Sequence, residues 1–342
     1  MMSDRPSPFA TVPRSVLQHV VDVHCHPTDS DTPPGLLAAL PIRLCAMATR
    51  QNDQPLVRAL AHAHPDKIVP CFGYHPWFAH WIALAPVASK AEHYRALFLD
   101  APTPTADLVA AFDRLLPYLP DPIILAEVLA GLRADLTTFP SAMLGEVGLD
   151  RACRIPYASP ECPPYSAAEA DTPRALSPFT IPLAHQLAVL EAQLALAAEL
   201  GRNVSMHSVK CQQSWHQIEK KHTNVFLSLS TVINARSPAH KALITACSPH
   251  RILVESDFHD VQYSAERTWE MLLIIAEVKG WHVEESWDED YEKAGEERWG
   301  AVRRLEENWK AFERGGHRPA TKKNDRRKLL LEEWESDEGD SE

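Results

Sequence analysis

Val21-Asp22-Val23-His24-Cys25-His26-Pro27 is the stretch on which the fold turns. The apolar run Val20–Val23 reads as a strand that ends in two histidines. Residues two apart in extended backbone point the same way, so His24 and His26 present two imidazoles on one side of the strand end. That is the arrangement needed to chelate one metal ion. Cys25 points to the opposite side and reads as a buried strand thiol. Asp22 shares the face of His24 and reads as a residue that supports the ligands from behind.

Further short apolar runs follow at Ile42–Ala46, Lys67–Phe72, Ala142–Val147, Asn203–Met206, Val225–Leu229 and Arg251–Val254. Amphipathic stretches such as Gln54–His64, Pro182–Gly201 and Ala239–Cys247 lie between them. Alternating strand and helix signals predict an α/β protein with a parallel sheet. Several runs end in a chemically active residue. Glu146 closes one, His207 follows another, and Asp257 follows the last. A charged group directly after a buried strand is costly unless paired, hydrated or metal-bound. In a TIM-type barrel the C-terminal strand ends are where sites are built. Gly145 and Gly148, flanking Glu146, let backbone pass close to such a site. His75, in Gly73-Tyr74-His75-Pro76-Trp77, reads as a residue behind the ligands or facing substrate, with a capped and packed turn histidine as the competing reading. Arg151 is placed to meet a phosphate or carboxylate, with a surface ion pair as the competing reading. Loop polarity accounts for His259 and Asp260.

The chain has 342 residues, is 45% hydrophobic and carries a formal net charge of -12. The length suits one large barrel domain over 1–313, with insertions at about 78–140 and 151–182 and a charged tail over 314–342. Helices are expected at Leu108–Leu119, Ile123–Leu132 and Glu292–Glu313. In the last, Trp299, Val302, Leu305, Trp309 and Phe312 recur at helical spacing and dock it on the body. The acidic balance argues against broad electrostatic binding of nucleic acid but not against a nuclease, because bound cations invert the local field. No apolar run reaches the roughly 20 residues of a membrane helix, and irregularly spaced cysteines without a CxxC pair suit reduced thiols. The expected setting is intracellular, cytoplasmic or nuclear, without a membrane.

The constellation resembles the TatD family of metal-dependent deoxyribonucleases, within the amidohydrolase-like barrels. VDVHCHP at 21–27, GYHPW at 73–77, GEVGLDR at 145–151, SMHS at 205–208 and RILVESD at 251–257 carry the resemblance, in family order. The insertions and C-terminal helix look like the fungal branch, some of whose members are described as partners of cell-cycle proteins. The resemblance implies one or two divalent ions (Mg²⁺, Mn²⁺ or Zn²⁺). His24, His26 and Asp257 would hold the first, Glu146 would bridge, and His207 would bind the second. Asp257 would also steer or deprotonate the attacking water. The implied substrate is DNA or a small phosphoester. Two other readings use the same residues differently: an amidohydrolase-type enzyme on a small ester or amide, or a catalytically impaired scaffold that binds a protein partner through the insertions or tail.

One departure from the family pattern is plain. The family has a further strand after the one ending at His207, and that strand carries another histidine ligand. Here Ser208–Thr223 leaves room for one helix, and seven strand signals stand where a closed barrel needs about eight. The expected barrel is therefore incomplete or distorted, through a lost segment or a weakened second metal site. His216 and His222, the nearest histidines, read as surface positions.

Overall fold

A computed structural model describes residues 8–100, 102–160, 162–163, 175–210, 222–234, 239–287 and 295–315. All seven strand signals are strands: β1 (Val21–Cys25), β2 (Arg43–Met47), β3 (Ile68–Phe72), β4 (Met143–Asp150), β5 (Val204–Val209), β6 (Leu227–Leu229) and β7 (Ile252–Val254). β1 to β5 form one parallel sheet in sequence order, and β6 pairs with β7 in parallel. The two sheets meet where the Asp257 amide donates to the His24 carbonyl and the His26 amide to that of Phe258, each at 2.9 Å. The result is a nearly closed TIM-type parallel barrel. Among the described residues, the opening lies between β5 and β6, which is where the sequence lacks its eighth strand signal.

Burial follows from this topology. β1, β3 and β4 are buried along their whole length, as strands covered on both faces must be. β5, at the opening, is only part-buried, and its Met206 is exposed. Val21, Val23, Cys45, Met47, Val69, Cys71, Met143 and Leu253 pack together inside the lower barrel with Trp309 of the C-terminal helix. Cys25 is buried, as expected, and its thiol faces the Cys45 carbonyl at 3.4 Å.

The helix Ala301–Arg314 starts later than the expected Glu292. Its start is fixed by Glu284, whose carboxylate accepts from the amides of Val302 and Arg303 at 2.9 and 3.2 Å. Residues 288–294 lie outside the described residues. The helix bridges the opening at the lower end of the barrel. Asn308 donates to the Ile252 carbonyl at the foot of β7, and Asn203, before β5, donates to the carbonyls of Phe312 and Glu313. Phe312 also packs against Phe226 beside β6. In the 78–140 insertion, helices run Lys90–Phe98, Ala106–Leu115 and Leu125–Thr138; the first was not legible as a separate element. The basic stretch and acidic tail after Gly315, and His216, lie outside the described residues. No helix among the described residues is long and apolar enough to cross a membrane.

Candidate metal centre

β1, β4, β5 and the turn after β7 deliver His24, His26, Glu146, His207 and Asp257 to one place at the upper barrel end, and the turn after β3 adds His75. Glu146 is the hub. Its Oε2 lies 3.3 Å from His24 Nε2 and 3.4 Å from His26 Nε2, and its Oε1 lies 3.1 Å from His207 Nδ1 and 3.4 Å from His75 Nε2. Asp257 Oδ1 stands 3.4 Å from His26 Nε2 and 3.9 Å from His24 Nε2. Each oxygen of one carboxylate thus faces its own pair of imidazoles. The donor atoms fall into two groups compact enough for an ion, His24–His26–Glu146 and His75–Glu146–His207. Nitrogen and carboxylate donors in such numbers suit a divalent cation.

Local backbone makes this convergence possible. Gly148 has φ +153, and a Cβ there would collide with the His207 carbonyl, so only glycine lets β5 pair with β4 at this point. Asp257 adopts the left-handed region at φ 48, which aspartate tolerates better than most residues and which turns its carboxylate back towards β1. Its amide bond to His24 fixes that turn.

The electrostatics show a site built around positive charge. Burial alone would depress the His24 imidazole, but the charge and hydrogen bond of Glu146, with Glu255 and Asp257 nearby, carry it well above its usual value. His26 is likewise raised against its own burial, chiefly by Asp257 and Glu146. For His207, burial is outweighed by hydrogen bonds to Asp150 and Glu146, which push it up to about 9. Burial raises the Glu146 carboxyl, yet its surrounding imidazoles hold it well below the carboxylate range. The carboxylates beside these imidazoles are what raise them, and the residues present fit a divalent metal.

Two contributors carried no role in the sequence reading. Asp150 Oδ2 accepts from Trp77 Nε1 at 2.6 Å and sits 3.2 Å from His207 Nε2, while its Oδ1 accepts from the amides of Ala152 and Cys153. It therefore holds the far nitrogen of His207 and turns Nδ1 towards Glu146. Ser205 Oγ lies 2.9 Å from His24 Nδ1 and does the same for that ring. Both share strand parity with a recognised residue, Asp150 with Glu146 and Ser205 with His207, which is the signal that points to them. Asp22 sits elsewhere than behind the imidazoles. Its Oδ1 accepts from the amides of Ser256 and His24 at 2.9 and 3.3 Å, and burial pushes it up to about 6. It ties the turn after β7 to β1 and touches the His24 backbone rather than its ring. Arg151 follows β4, its amide bonded to the Val209 carbonyl. Asp260 caps the helix Val261–Lys279 through the Gln262 amide. His222 is part-buried at the approach to β6 and belongs to neither metal-compatible group.

A parallel barrel with imidazoles and carboxylates gathered at the C-terminal strand ends defines a class of barrels that hold metal ions there. The chain belongs to the TatD related DNase family, whose model matches residues 21–225. It is 36% identical over 202 residues to the Cut9-interacting protein scn1 of Schizosaccharomyces pombe, a match covering 57% of this chain and 56% of that relative. The chain thus spans little more than half the length of that relative. It is 24% identical over 344 residues to the uncharacterized deoxyribonuclease YMR262W of Saccharomyces cerevisiae, covering 86% of this chain and 99% of that one. Among solved structures it is similar to YJJV, a TatD homolog from Escherichia coli, at 15% identity and a TM-score of 0.49, covering 86% of this chain and 98% of that one.

Proposed function

We propose that the protein is a divalent-metal-dependent hydrolase that cleaves phosphodiester bonds, with DNA ends as its substrate. The observation that carries this is the placement of Glu146, one oxygen facing His24 and His26 and the other facing His207. His24, His26 and Asp257 would hold one ion and Glu146 would reach between two. His207 would serve the second position, a thinner one than the family resemblance implies, since among the described residues no strand between β5 and β6 brings it a further histidine. When bound, Mg²⁺ or Mn²⁺ would lower the pKa of water and offset charge on the phosphate. Asp257 would orient that water and accept its proton as the water oxygen bonds to phosphorus and the bond to the leaving oxygen breaks. Ser205 and Asp150 would keep the His24 and His207 rings turned to the site.

The surroundings favour a nucleic acid over a small ester or amide. Trp77 is 48% exposed, and its ring centroid lies 4.9 Å from that of His75 and 6.1 Å from that of His207. An indole at the rim offers a stacking surface for a base. Purified protein should degrade end-labelled single-stranded DNA only with Mg²⁺ or Mn²⁺, and a His24→Ala/His26→Ala variant should not. No degradation by folded wild-type protein with either metal would overturn the proposal.

A further inference from the structure

His75 belongs to one of the two metal-compatible groups, so distance alone would count it as a ligand. Its other ring nitrogen rules this out. The Trp77 amide donates to His75 Nδ1 at 3.1 Å, the side-chain cap of the turn Pro76–Trp81. An Nδ1 that accepts a hydrogen bond carries no proton, so the proton of the neutral ring sits on Nε2. A metal needs the lone pair of that nitrogen, and the Nε2 proton occupies it. The imidazolium form is excluded by the same bond, since its Nδ1 would carry a proton too. His24 and His207 are set the other way. Their outward nitrogens face Ser205 Oγ and Asp150, which can accept a hydrogen bond from the ring N–H and leave the inward nitrogen free to ligate.

The His75 cap is held from several sides. The His75 amide donates to the Thr49 carbonyl at 2.8 Å, and the Phe78 amide donates to the His75 carbonyl at 2.9 Å. Pro76 fixes the first step of the turn, and the Trp77 indole is anchored on Asp150 at 2.6 Å. His75 is itself only 4% exposed. Its Nε2–H therefore points at a fixed spot beside Glu146 Oε1, at a separation of 3.4 Å that is too long for a strong bond to the carboxylate.

Resting on the phosphodiester reading above, we infer that His75 is a catalytic residue but not a metal ligand: a neutral imidazole locked as an Nε2–H donor to a non-bridging oxygen of the bound phosphate. It gives a hydrogen bond and transfers no proton, because loss of its proton would leave an imidazolate. A pre-aimed neutral donor of this kind stabilises charge developing on a phosphoryl oxygen without reorganising.

Three readouts test it, none of which needs turnover. Heteronuclear NMR of the metal-free protein should find His75 protonated on Nε2 and bare on Nδ1. Mn²⁺ bound per chain, by elemental analysis, should be the same in His75→Ala as in wild type. Inorganic phosphate binding to Mn²⁺-loaded protein, by calorimetry, should weaken about ten- to hundred-fold in His75→Ala. His75→Gln, whose amide can place an N–H where Nε2 stood, should stay within a few-fold of wild type. The opposite tautomer, a lower Mn²⁺ count in His75→Ala, or phosphate binding indifferent to that change would overturn the inference. If these expectations hold while wild-type protein leaves DNA intact, the donor stands and the hydrolase reading falls.

Discussion

The turn Pro76–Trp81 separates two groups of buried histidines that behave in opposite ways. At its start lies the candidate metal centre, where His24, His26 and His207 surround Glu146 and are all raised above the usual histidine value. At its end His80 packs with His93 and His185. There the rings donate to main-chain oxygens, His93 to His80 and His185 to Ala79, each within 3 Å. Burial, with the neighbouring rings of His185 and His93, lowers His80 to about 3. His185 is lowered as well, again chiefly by burial. Burial is deep in both places, so burial does not decide. The difference is the carboxylate: Glu146, Asp150 and Asp257 stand among the first group, and no carboxylate enters the shifts of the second. A histidine cluster is a cation site only where acids complete it. His75 sets the limit of the rule from inside the centre. It touches Glu146 yet is lowered, because burial and the neighbouring rings of His207 and His26 outweigh that one carboxylate.

The most severe way to break the comparison is to remove the hub. Glu146→Gln keeps the size of the side chain and deletes its charge. His24 loses the largest contribution that raises it, so its titration in metal-free protein should move down, towards the behaviour of His80. Metal-dependent hydrolysis should fall by about 10²- to 10⁴-fold, the range of a lost acid–base or charge-positioning group. An unchanged His24 titration by NMR would show that Glu146 does not set the charge of the centre.

The next effect is read from stability against pH. His80 is depressed when folded, so between pH 6.5 and about 3 the unfolded chain binds the proton that the folded one refuses. Its contribution is complete above 6.5 and is lost as pH falls, about 2 kcal/mol by pH 5. His207 has the opposite sign in metal-free protein. Raised to about 9, it stabilises fully below 6.5, and that stabilisation is lost as pH climbs towards 9. Denaturant melts should therefore give His80→Gln a flatter acid limb and His207→Gln a flatter alkaline limb. The reverse assignment would mean that the two groups do not differ in charge.

The sequence carried the first group far better than the second. His24, Glu146 and His207 lie within β1, β4 and β5, and His26 and Asp257 come just after β1 and β7, where parity and a buried apolar run make an ionisable residue conspicuous. All seven strands were legible for the same reason, and the opening between β5 and β6 showed as an interval too short for helix, strand and helix. His80, His93 and His185 sit within helices and turns of an insertion and at the start of a long helix, with no period that brings them together. Their meeting is a product of tertiary packing. Asp22 supports His24 through its backbone amide rather than its ring, where the pairing of β1 with β2 shifts register between Asp22 and Cys25.

The smallest expected effect tests how the centre holds its charge through Trp77, which serves both His75 and His207. Trp77→Phe keeps the backbone amide that caps His75 and deletes the indole N–H that Asp150 accepts. Asp150 retains its bonds from Ala152 and Cys153 and its contact with His207, so the fold should lose only about 1 kcal/mol. The sign of the accompanying shift is the informative part. With one donor fewer, the Asp150 carboxylate is less neutralised and should attract the His207 proton more strongly. The His207 titration in metal-free protein should then move up from about 9, while His80, beyond the turn, stays where it is. A downward move would mean that the indole holds Asp150 in position for His207 and that the carboxylate drifts away without it. In that case Trp77 supports the metal centre from both of its N–H groups, and the boundary between the two histidine groups is drawn by this one residue.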